Sequence, residues 1–134
     1  MRSKIMNDGI KINICNAAIA VAKMSNHRFK VGAAIVKGNK IISLGCNSHK
    51  TTPFIRNKIS NTTAVDRLHA EMSCILRAKG DLSKCKIYIA RIVAVKSGLA
   101  IAKPCSLCMA MIKEAGIKEI VYSTAYGWEK ERVA

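Results

Sequence analysis

"KIYIARIVAV" (residues 86–95), then "PCSLCMAMIKEAG" (104–116) and "IKEIVYST" (117–124), form the stretch that decides the fold class. The first run is apolar and β-prone with little alternation, as expected of a strand buried on both faces. The second is a helix, with Pro104 at its start and Gly116 just past its end. The third reads as another strand. Working back, "LHAEMSCILRAKGDL" is a helix carrying Met72, Ile75 and Leu76 and closed by Gly80. "KVGAAIVKGNKIISLGCN" predicts two strands, 31–37 and 41–46, joined by a tight hairpin at Gly38-Asn39. "DGIKINICNAAIAVAKMS" places Ile10, Ile14, Ala17, Val21 and Met24 at helical spacing, with Asp8 as N-cap. Helices thus alternate with strands after an opening hairpin, so the class is α/β with helices on both faces of a sheet. "GWEKERV" is too close to the preceding strand for a parallel crossover, so a last strand there returns antiparallel around Ala125–Gly127.

Residues 1–134 are expected to form one domain, long enough for a hydrophobic core, and half of the residues are apolar, which argues against disorder. No run approaches the ~18 apolar residues of a membrane helix. "MRSKIMNDGIKINIC" lacks the apolar core and cleavage site of a secretory signal, so a cytoplasmic address is expected. The cysteines at 15, 46, 74, 85, 105 and 108 are then reduced, with Cys15 and Cys74 acting as small hydrophobes. Net charge is +15, and no acidic residue stands between Asp8 and Asp66. That field attracts phosphate, on a nucleotide or on a nucleic acid, although scattered charges also suit a plain solvated surface. The connection 47–68 is basic and long enough to be a functional loop.

Cys105 and Cys108, three apart after Pro104, fit a disulfide, a redox pair or half of a metal site. His69 and Glu71 supply the other half. Zn²⁺ takes tetrahedral nitrogen and sulfur ligands, and a catalytic zinc keeps three protein ligands plus water. His69, Cys105 and Cys108 would be those three. Both motifs open helices, where the positive dipole end favours thiolate. Glu71, two residues from His69, lies about 200° around an ideal helix. Only at the first turn can His69 bind a metal while Glu71 reaches its water.

The order His69-Ala70-Glu71 … Pro104-Cys105-x-x-Cys108, with the hairpin "FKVGAAIVKGNKIISLGCN" before it, resembles the cytidine and deoxycytidylate deaminase superfamily over most of the chain. The resemblance implies a three-layer α-β-α sandwich around a mixed sheet of about five strands. It implies hydrolytic deamination at Zn²⁺, with Glu71 moving protons. Phe29 and Asn47 match positions that line the nucleoside pocket, with Ala70 and Pro104 beside the ligands. Phe29 also suits a core, and Asn47 a turn. The chain departs from free-nucleoside enzymes at His69, where they usually carry Cys, and at His49, where they carry Glu. His49 and Lys50 would tolerate phosphate. The loop cations His49, Lys50, Arg56, Lys58 and Arg67 suit one nucleotide phosphate, a polynucleotide backbone, or solvent alone. Aromatics for stacking bases are scarce, with Tyr126 and Trp128 a candidate wall. Two functions therefore stay open: deamination of dCMP or cytidine, and editing of single-stranded DNA or RNA. A small-molecule substrate, no membrane partner and a homo-oligomer are expected, with nucleic acid the alternative partner.

Overall fold

β1 (Lys30–Lys37) and β2 (Lys40–Cys46) form the antiparallel hairpin, and Gly38 makes its turn at φ 62°, a backbone open to glycine without a Cβ clash. The structure is a computed structural model, and it describes residues 9–48, 69–93 and 98–133. Asp8 and the loop cations His49, Lys50, Arg56, Lys58 and Arg67 lie outside those residues. Successive β1 side chains point to opposite faces, Ala34 and Val36 to one and Ala33 and Ile35 to the other. All four are buried, which is why the strand reads as an unbroken apolar run.

α1 (Ile12–Ala22) buries Ile14, Cys15, Ala18 and Ala22 against that first face. The expected stripe through Ala17, Val21 and Met24 is rotated away, and Met24 is 76% exposed. The cause is close approach. A Cβ on Gly32 would stand 2.2 Å from the Ala18 carbonyl oxygen, so only small side chains fit beneath the helix. Lys11 is the N-cap, and no side chain caps it; its N–H donates instead to the Tyr88 hydroxyl at 3.1 Å.

α2 (Ala70–Arg77) leaves the helix through extended Ala78, ahead of Gly80, which bends the following loop at φ 88°. β3 (Lys86–Val93) is the middle strand. It pairs antiparallel with β1 and parallel with β5 (Glu119–Thr124), and α3 (Ser106–Glu114) makes the crossover. α3 ends in a Schellman turn: the Ile117 N–H reaches Ile112 O, the Gly116 N–H reaches Lys113 O, and Gly116 has φ 91°. β6 (Gly127–Arg132) returns antiparallel to β5, as its short tether required. β4 (Gly98–Ala100), which sequence patterning missed, pairs antiparallel with β3. Three residues are too few to show a period. Among the described residues the sheet has six strands, close to the five or so expected, in the order β2-β1-β3-β5-β6, with β4 beside β3.

The sheet divides two cores. Ile14, Cys15, Ala34, Tyr88 and Val121 fill the α1 side. Cys74, Ile87, Ile89, Ile112 and Ile120 fill the side covered by α2 and α3. This is a three-layer α/β sandwich, and none of its described helices is long and apolar enough to cross a membrane.

Candidate active site

The N-termini of α2 and α3 carry the two motifs. His69 is the N-cap of α2 (φ −78°, ψ 153°) and Cys105 the N-cap of α3 (φ −67°, ψ 168°). α3 thus begins at Ser106, two residues beyond Pro104, because the Cys105 sulfur takes the capping role and accepts the Cys108 N–H at 3.5 Å. Pro104 is buried just before the cap. Cys108 sits in the first turn, fully buried.

His69 Nδ1 lies 3.3 Å from Cys108 Sγ and 3.8 Å from Cys105 Sγ, and the three ligand atoms fall within 4.8 Å of one another. A tetrahedral Zn²⁺ with bonds of about 2.0–2.3 Å would hold its ligands roughly 3.5–3.8 Å apart. The donor set and spacing fit that ion. The thiols divide their protons unequally. Cys105, the exposed one, is pushed down to about 3, first by its hydrogen bond with Cys108 and then by His69. Cys108 is pushed up, first by that same bond and then by burial. Glu71 is only 6% exposed, and burial raises its carboxyl above the usual range, opposed by its own backbone N–H and by His69.

A cavity of about 260 Å³ opens on this cluster. Among the residues singled out from sequence, Phe29, Asn47, His69, Ala70, Glu71 and Cys105 line it. Phe29 is 46% exposed there, not a core residue. Asn47 is buried and tied into the wall. Its Oδ1 accepts from Ser25 Oγ at 2.6 Å and from the Val31 N–H at 2.9 Å, and its Nδ2 donates to Phe29 O. Among the described residues, its second amide hydrogen has no acceptor. Pro104 does not line the cavity, although its neighbours Lys103 and Cys105 do. The Tyr126–Trp128 wall is not part of it either, since Tyr126 is fully exposed and Trp128 packs on the α1 side. His27, Arg91 and Lys103 line the cavity and had not been singled out. Only Arg91 left a sequence signal, as a charge inside an apolar strand.

A family model described as the cytidine and deoxycytidylate deaminase zinc-binding region matches residues 10–124. The chain belongs to this deaminase family. Among curated family members, the deoxycytidylate deaminase of Homo sapiens is 32% identical over 120 residues, covering 78% of this chain and 61% of that protein. An uncharacterized deaminase of Aliivibrio fischeri is 32% identical over 93 residues, covering 68% of this chain and 56% of that protein. The chain thus spans less than two thirds of both curated relatives. The apo dCMP deaminase of cyanophage S-TIM5 superposes with a TM-score of 0.64 at 25% identity, covering 89% of this chain and 86% of that one.

Proposed function

We propose that the chain hydrolyses the exocyclic amine of cytosine in a nucleoside or nucleotide, giving uracil and ammonia. The observation that carries this reading is a buried carboxyl, Glu71, lining one cavity with His69 and Cys105, which together with buried Cys108 are spaced for a metal. His69, Cys105 and Cys108 would hold Zn²⁺. Bound there, zinc would supply a water acidified enough to act as nucleophile near neutral pH. Glu71 takes one proton from the attacking water and gives it to the ring nitrogen N3; it then moves the remaining proton from the new C4 hydroxyl to the amine, which leaves as ammonia as the C4–N bond breaks and the carbonyl forms. Burial suits it to both directions, because a carboxyl raised towards neutral pH accepts and releases protons with little loss. Phe29, Val31 and Ala70 line the same space and keep bulk water from the base. The nucleic-acid reading has less support, since Phe29 is the single phenylalanine, tyrosine or tryptophan lining the cavity among the described residues. Exposed Ile41 and Leu44 on β2 support a homo-oligomer that covers them, which light scattering tests.

Incubating the zinc-loaded protein with dCMP, cytidine, dCTP and a cytosine oligonucleotide, and measuring ammonia, tests the assignment. Product from a free nucleoside or nucleotide is expected. Product from the oligonucleotide alone would select the editing reading, and none from any substrate would overturn both. Glu71→Ala should lower turnover by at least roughly 10²–10⁴-fold with zinc content unchanged. Undiminished turnover would remove Glu71 from the chemistry.

A further inference from the structure

Arg91 is out of keeping with its strand. The β3 side chains facing α2 and α3 are Ile87 and Ile89, both fully buried, and Arg91 is next on that face. It stands between Val31 of β1 and Ala100 of β4, at the end of β3 where ligands collect in open α/β sheets. Its backbone is pinned: the Ser123 hydroxyl accepts the Arg91 N–H at 3.0 Å and donates to Ala100 O at 2.8 Å. Its guanidinium lies 5.2 Å from the centre of the Phe29 ring, and that of Arg28 lies 5.4 Å from the same centre. Two cations are therefore gathered at one aromatic ring on the cavity wall. Neither pairs with a carboxylate among the described residues, whereas the cavity's other cation, Lys103, is held by Glu131 at 3.2 Å. The ring's negative face offsets part of their repulsion. An anion would complete the arrangement, and the planar guanidinium fork matches phosphate oxygens two at a time.

We propose that Arg91, assisted by the field of Arg28, binds the phosphate of a nucleoside monophosphate and so sets a preference for nucleotide over free nucleoside. This rests on the cytosine-deaminase reading of the same cavity. The base then occupies the Glu71 end, and the phosphate lies beside Phe29. Arg91 acts in specificity, not in proton transfer.

The test compares dCMP with deoxycytidine on the full-length, zinc-loaded protein. The ratio of their kcat/KM values should fall roughly 10- to 100-fold in Arg91→Gln, mainly through KM for dCMP, as for a lost charged hydrogen-bond pair. Arg91→Lys keeps the charge without the fork and should fall in between. An Arg91→Gln protein that loses both substrates equally, or neither, overturns the proposal. Should that variant not fold, Arg91→Lys decides: a ratio lowered several-fold supports the role and an unchanged one overturns it. Calorimetric titration with the products dUMP and deoxyuridine separates this inference from the deaminase reading. Were the protein to deaminate neither substrate, tighter dUMP binding that depends on Arg91 would still support the anion site. Equal affinity for dUMP and deoxyuridine would overturn it, even in an active deaminase.

Discussion

Cys15 and Cys74 are fully buried, one in each core, and burial pushes their thiols up to about 12 and about 11. The ordinary thiol value is 9.0, so the folded chain holds both protons more tightly than the unfolded chain does. Their contribution to stability is complete below pH about 9 and is lost as pH rises through 11 to 12. The urea midpoint should hold level from neutral pH to about 8.5 and then decline, with a shallower decline in Cys15→Ala and Cys74→Ala. A midpoint that stays level to about pH 11 would contradict this assignment. The role of these thiols as small hydrophobes was legible in order, because their neighbours are apolar. So was the ligand pair, because the spacing of Cys105 and Cys108 puts both sulfurs at one helix start. Arg91 stood out only as a charge in an apolar strand, and its meeting with Phe29 and Arg28 was not legible, since they come from a segment more than fifty residues earlier.

Two elements meet where a side chain would not fit. A Cβ on Gly32 would reach the Ala18 oxygen at 2.2 Å and the Ala22 nitrogen at 2.5 Å, both backbone atoms of α1 that cannot rotate aside. Gly32→Ala should therefore lift the helix from the sheet and cost roughly 1–3 kcal/mol or more, read as a lower urea midpoint. Unchanged stability would mean that α1 does not pack this closely. Ser123, with no exposed surface, binds three strands at the point where β3 exchanges its β5 partner for β4. Ser123→Ala leaves the Arg91 N–H and the Ala100 carbonyl short of a partner, at about 1–3 kcal/mol. Denaturant unfolding measures that loss, and its absence would show that water replaces the hydroxyl. Sequence patterning located the strand β1 but not the buried stripe of α1. Helical spacing shows which residues align, whereas the glycine opposite decides which of them fit underneath.

At the scale of the molecule, the cluster ties two helices that lie far apart in sequence. His69 opens α2, and Cys105 and Cys108 open α3, so a metal held by all three clips the helix starts together. Zinc binding only the folded chain should stabilise it by about 4 kcal/mol at a free concentration roughly a thousand times Kd. A chelator should therefore lower Tm, and added Zn²⁺ should restore it where Mg²⁺ does not. A Tm indifferent to chelation would rule out this clip. Residue order alone dictated the alternation of strands and helices, the antiparallel last strand, and the kinds of atom offered to a metal. Those follow from local periodicity, tether length and side-chain chemistry, which neighbours along the chain determine. The cavity wall, the placing of β4 beside β3, and the meeting of Arg91 with Phe29 arose only on folding. Each depends on contacts between segments distant in sequence, and no local pattern encodes how closely two packed surfaces approach.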